Sequence, residues 1–147
     1  MSIFNHFQHI NLTNDQNNAL VKIQDFLTSD EKIFILQGYA GTGKTTILKG
    51  VCDYLRASKN NFQLMSPTGR AAMVLQEKTK SNATTIHKSI YNLEDITEEM
   101  NGYSFRFIFN LNGNKDSVDT TYIVDEASMI SDVYSEGEFF VFGSGRL

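Results

Sequence analysis

A chain of 147 residues with 41% hydrophobic and 20% charged residues has the length and composition of one globular domain, which excludes disordered and collagen-like chains. Thirteen basic against 17 acidic residues leave a net charge of −4, which excludes a nucleic-acid binder that works by bulk positive charge. One cysteine excludes a disulfide framework or a Cys-rich zinc module; with no apolar run near ~18 residues and no apolar core in the first twelve, a cytoplasmic domain without membrane span or secretory signal is expected.

In chain order, Ala19, Leu20, Ile23, Phe26 and Leu27 recur at helical spacing and predict a helix over 13–28, opened by a capping box of Thr13 and Gln16. Ile33 to Gln37 is a short apolar run with β-branched residues, predicted as a buried strand. A Gly-rich turn follows. Ile47, Leu48, Val51, Cys52 and Leu55 then line one face of a second helix, with Cys52 as unreactive core. Phe62 to Ser66 reads as the next strand, 69–79 as the next helix and 84–91 as a short helix. The acidic stretch Glu94 to Glu99 is a solvated face. Phe105, Phe107 and Phe109 alternate at period two ahead of Asn112-Gly113, which predicts a β-hairpin within 92–120. Aromatics at this spacing pack as one sheet face more often than they stack bases. Tyr122 to Asp125 is a further apolar strand, and an apolar, Gly-rich stretch, 138–147, closes the chain. Strands alternating with helices imply an α/β fold, a parallel sheet with helices on both faces. No linker or internal repeat divides it.

Gly38-Tyr39-Ala40-Gly41-Thr42-Gly43-Lys44-Thr45 matches the phosphate-loop pattern in full, between a predicted strand and an amphipathic helix. Glycines let the backbone fold into a nest of N–H groups around phosphate oxygens. The helix that follows presents its positive end to the same anion. Lys44 is expected to bridge the β- and γ-phosphates, and the Thr45 hydroxyl to ligate Mg²⁺. A nucleoside triphosphate with Mg²⁺ is therefore the expected ligand. Asp125 and Glu126 stand at the end of an apolar strand, the edge where open α/β sheets bind ligands. Asp125 can hold Mg²⁺ through its waters, and Glu126 can orient and deprotonate the attacking water. His6 and His9 lie at i, i+3 with no third ligand nearby in sequence and are not read as a metal site.

Taken together, these motifs resemble superfamily-one helicases of the RecD and Dda type. The run Gly38 to Thr46 looks like their nucleotide loop, and Leu12-Thr13-Asn14-Asp15-Gln16 with Ala19 looks like their upstream Gln motif. The resemblance puts Gln16 on the adenine of ATP; locally, Gln16 serves equally well as a helix cap. Ser66-Pro67-Thr68-Gly69-Arg70-Ala71-Ala72 and Thr84-Thr85-Ile86-His87 are similar to two motifs that contact single-stranded DNA. By that likeness Thr68, Gly69, Arg70, Thr84, Thr85 and His87 are candidate DNA contacts; Thr84 and Thr85 also suit a helix cap, Arg70 a surface ion pair, and His87 a packing or capping role. Asp125 to Ile130 is close to the family's Mg²⁺ and water-activating motif. The resemblance spans residues 12–132 and implies a RecA-like P-loop ATPase fold and, for the whole protein, a 5′-to-3′ DNA helicase. In the family a strand ending in Gly-Asp, a γ-phosphate-sensing Gln and a second RecA-like domain follow. Residues 1–147 are thus expected to form one partial RecA-like ATP-binding domain, with 92–120 as an inserted hairpin. Its partners are single-stranded DNA and that second domain, and alone it is expected to bind nucleotide weakly and turn over negligibly.

Two other readings carry the same loop. A small-molecule kinase needs an Arg-rich lid, whereas Arg56, Arg70, Arg106 and Arg146 are scattered. A non-catalytic nucleotide-binding module is the third, although Lys44 and Glu126 are both retained.

Overall fold

A computed structural model of the chain describes residues 2–94 and 108–130. Ile3–Phe7 forms a short 3₁₀ turn, followed by α1, Asn14–Thr28. The capping box opens α1: the Gln16 N–H donates to Thr13 Oγ1 at 3.3 Å, and the Thr13 N–H donates back to Gln16 Oε1 at 3.0 Å. Helix α2 is Lys44–Ala57, strand β1 is Phe62–Ser66 and α3 is Gly69–Thr79. Strand β2, Ala83–Thr85, leads into α4, Ile86–Ile90. Two strands, β3 (Tyr91–Glu94) and β4 (Ile108–Leu111), form an antiparallel pair, and β5, Thr121–Val124, is followed by a 3₁₀ turn, Ala127–Met129.

The main sheet runs β2-β1-β5, all parallel. Leu64 and Met65 alternate across it and define its faces. On one face Leu64 meets Cys52 of α2 and Leu75 of α3, and an adjoining cluster joins Leu20 and Ile23 of α1 to Ile47, Val51 and Leu55 of α2. On the other face Met65 and Tyr122 meet Ile86 of α4. Helices thus cover both faces of a parallel sheet, an α/β RecA-like P-loop fold. The 3₁₀ turn Ile3–Phe7 seals the first cluster. Phe7 lies so tightly over Gly50 that a Cβ there would overlap its ring, so only glycine fits the crossing. Burial pushes the Cys52 thiol up to about 12, which keeps it protonated.

Three local expectations change. Residues 33–37 form no strand. Phe34 and Leu36 pack inward, but Ile33 and Ile35 are 59% and 73% exposed, because among the described residues no neighbour closes a ladder with them. Residues 84–91 are not one helix: Thr84 and Thr85 extend β2 alongside β1, and the helix begins at Ile86. Thr85 is at once the last residue of β2 and the N-cap of α4, so pairing and capping share it. Strand β4 pairs with β3 upstream, so Asn112-Gly113 leads out of the ladder and makes no turn within it; the Asn112 N–H donates to the Ile90 carbonyl at 2.7 Å. Phe105, Phe107 and the stretches 95–99 and 138–147 lie outside the described residues.

Candidate nucleotide site

The loop 38–43 turns into α2 through two left-handed glycines, Gly41 at φ 80° and Gly43 at φ 87°. Gly43 is the N-cap of α2 and offers no side chain to its first turn. Among the described residues, the N–H groups of Gly43, Lys44 and Thr45 have no acceptor. They are the unsatisfied donors that every helix start carries, reinforced by the helix dipole. This is the arrangement that binds anions. Inside the loop, the Thr42 N–H and Oγ1 donate to the Tyr39 carbonyl at 3.4 and 2.8 Å. Lys44 Nζ donates to the carbonyls of Gly38 and Tyr39 at 2.7 and 3.0 Å. The ammonium is thus parked over its own loop, on carbonyl oxygens that phosphate oxygens can replace. Tyr39 and Ala40 stand exposed at the tip, Thr45 is half-buried, and the Thr46 N–H is used within the helix, to Gly43 at 2.9 Å.

Gln16 does more than cap. Its Nε2 donates to the Thr42 carbonyl at 2.9 Å, across 26 residues of sequence. No pattern in the sequence signals that bond, which only the packing of α1 beside the loop creates.

The carboxylates follow β5. The Asp125 N–H donates to the Met65 carbonyl at 3.0 Å, extending the ladder by one residue, and Asp125 Oδ1 accepts the Glu126 N–H at 3.0 Å. Glu126 is left-handed at φ 55°, ψ 35°, a conformation that costs a non-glycine residue about 1–3 kcal/mol. Among the described residues, the other two non-glycine residues of this kind, Lys59 and Lys80, lie at helix C-termini, where the conformation is common. Glu126 is exposed and Asp125 half-buried.

Because β1, β2 and β5 are parallel, their C-terminal ends share one edge. Thr68 to Arg70, Ile86-His87 and Asp125-Glu126 follow those ends, and Thr84 and Thr85 are the last two residues of β2. Helix α2 returns to β1 in four residues and packs along the sheet, so its N-terminus is carried toward the same edge. Among the described residues no hydrogen bond or ion pair joins Lys44 to Asp125 or Glu126. The hydroxyl of Thr45 and the carboxylate of Asp125 are hard oxygen donors, the kind Mg²⁺ takes one or two at a time beside phosphate and water. Of the expected DNA contacts, Thr68 accepts from the Ala71 N–H at 3.2 Å and caps α3, and Thr85 accepts from the Lys88 N–H at 3.1 Å and caps α4. Gly69, Arg70 and His87 are exposed, and the His87 ring lies 6.2 Å from that of Tyr91. The Ser66 hydroxyl, at the end of β1, is fully buried and has no hydrogen-bond partner among the described residues, a feature the sequence did not signal.

A family model described as an AAA domain matches residues 11–135. The chain is also 33% identical over 101 residues to the ATP-dependent RecD2 DNA helicase of Deinococcus radiodurans, covering 69% of this chain and 12% of that protein. It is 33% identical over 140 residues to the RecBCD enzyme subunit RecD of Buchnera aphidicola, covering 82% of this chain and 22% of that one. The ATP-dependent DNA helicase dda of phage T4 is 32% identical over 91 residues, 61% of this chain and 20% of the relative. The chain belongs to this AAA family and, within it, to the RecD/Dda helicase type. It is a helicase-type nucleotide-binding domain and spans between about a tenth and a fifth of the length of these relatives. Among the described residues, no helix is long and apolar enough to cross a membrane.

Proposed function

We propose that this RecD/Dda-type domain binds ATP with Mg²⁺ and is the ATP-binding part of an ATP-dependent DNA helicase that translocates on single-stranded DNA. The observation that carries the reading is the start of α2: free N–H groups from Gly43 to Thr45 beside the Lys44 ammonium, on the sheet edge where β5 delivers Asp125 and Glu126. In this reading Gly38 to Gly43 cradle the phosphates, and Lys44 exchanges its carbonyl partners for β- and γ-phosphate oxygens. Thr45 and Asp125 hold Mg²⁺, which neutralises phosphate charge when bound. Glu126 orients the attacking water and takes its proton, and Thr46 sits behind the loop on the first turn of α2. Gln16 adds an adenine contact. Thr68, Gly69, Arg70 and His87 follow the C-terminal ends of β1 and β2, and Thr84 and Thr85 form the end of β2; there a strand of DNA meets their hydroxyls, N–H groups and positive charge. In the whole protein a second RecA-like domain supplies arginines, worth on the order of 10³–10⁵ in rate in related P-loop enzymes. The test is a titration of this chain with a fluorescent ATP analogue. Saturable, EDTA-sensitive binding that weakens by about tenfold or more in Lys44→Ala supports the reading; binding that persists unchanged in Lys44→Ala overturns it.

A further inference from the structure

The carboxamide of Gln16 is spent at both ends on the protein itself. Its Oε1 accepts the Thr13 N–H and fixes the start of α1, while its Nε2 holds the Thr42 carbonyl. The second bond bears on the phosphate loop. The Thr42 carbonyl and the Gly43 N–H belong to one planar trans peptide and point in opposite directions. Holding the carbonyl on the Gln16 side therefore turns the Gly43 N–H to the far side, where it has no acceptor among the described residues. The fit is close: a Cβ on Gly43 would come within 2.6 Å of Gln16 Nε2. The missing Gly43 side chain thus serves two ends, the left-handed turn and the approach of Gln16.

We propose that Gln16 is a positioning residue for phosphate recognition, a latch that fixes peptide 42–43 so that the Gly43 N–H faces the triphosphate whatever base the nucleotide carries. This rests on the nucleotide reading above and adds a role that an adenine contact does not supply. With the latch removed, peptide 42–43 is free to rotate, and ordering it on binding costs part of the phosphate affinity. The loss is that of one net hydrogen bond, about threefold to tenfold in affinity.

The test compares Mg-ATP with base-free tripolyphosphate, titrated into the wild-type chain and into Gln16→Ala and Thr13→Ala. Both variants lose capping contacts, but only the first loses the latch. Gln16→Ala weakens both ligands by about threefold to tenfold, and Thr13→Ala leaves both within about twofold despite a lower melting temperature. Gln16→Glu keeps the capping acceptor and loses the donor to Thr42. It weakens tripolyphosphate at least as much as Gln16→Ala and keeps the test decisive if alanine unfolds α1. Loss of ATP affinity with tripolyphosphate affinity intact overturns the latch and leaves a base contact alone. Equal losses in Thr13→Ala and Gln16→Ala overturn it in favour of helix capping. Wild-type chain that binds neither ligand overturns the nucleotide reading, and the latch with it.

Discussion

The two edges of the parallel sheet treat their polar groups in opposite ways. At the N-terminal edge Gln63 and Tyr122 are register partners on β1 and β5, and both reach one carboxylate. Gln63 Nε2 donates to Asp116 Oδ1 and the Tyr122 hydroxyl to Asp116 Oδ2, each at 2.7 Å. Asn61 Nδ2 donates to Ser117 Oγ at 3.0 Å, and the Thr121 N–H to the Asn61 carbonyl at 2.9 Å. Burial, and then the bond to Asp116, raise the Tyr122 phenol above its ordinary value. At the C-terminal edge the donors of Gly43, Lys44 and Thr45 stay open, Lys44 rests on exchangeable carbonyls and Glu126 sits in a strained turn. One edge spends its chemistry on holding the chain together. The other leaves donors without acceptors among the described residues, beside a left-handed turn at Glu126.

Substitutions at each edge sharpen or break that contrast. Asp116→Ala has the largest expected effect on stability. It strands two donors that now share a charged acceptor, a loss of about 2–4 kcal/mol, with ATP affinity within about twofold of wild type. Urea unfolding beside nucleotide titration measures both, and a parallel fall in affinity would merge the two edges into one unit. Lys44→Ala runs the other way: affinity falls by about 10- to 100-fold, as for one charge-assisted bond, while the unfolding free energy from urea changes by no more than about 0.5 kcal/mol. Glu126→Asn, which suits a left-handed residue better, raises stability by about 0.5–1 kcal/mol. Glu126→Gln keeps the strain and leaves stability unchanged, so a gain in Gln as well would remove backbone strain as the cause. Cys52 lies in the core between the edges and supplies the smallest effect. Its folded thiol stays protonated up to about 12, whereas the unfolded thiol ionises near 8.5. Stability is therefore complete at neutral pH and declines as pH rises, by about 0.4 kcal/mol at pH 8.5. The decline is absent from Cys52→Ala, read by unfolding at pH 7 and 8.5.

Much of this was legible before any coordinates. The helical spacing of Leu20, Ile23 and Phe26 and the pair Thr13/Gln16 predict α1 with its cap, because both signals are local. Phe62–Ser66 and Gly69–Thr79 match the predicted strand and helix for the same reason. The loop motif marks the chemistry of Gly38 to Thr45 because only a few residue types fold that nest. Non-local facts were not legible. Ile33 and Ile35 carry the strand signal, yet a strand needs a partner, and the signal says nothing of where the partner lies. Thr84 and Thr85 fit a cap or a strand equally; pairing with Met65 and Ser66 puts both in β2, and Thr85 caps α4 as well. The bond from Gln16 to Thr42 and the left-handed turn at Glu126 arise only once distant segments meet.

The register Met65↔Val124 also sets a timetable. During synthesis β1 is made early, and its neighbour on the β5 side follows roughly sixty residues later, about 3–12 s at ordinary elongation rates. Until then that flank of β1 carries open backbone groups and must stay clear of other nascent chains. The segment carrying Asp125 and Glu126 thus reaches the sheet in the step that forms the β1–β5 ladder.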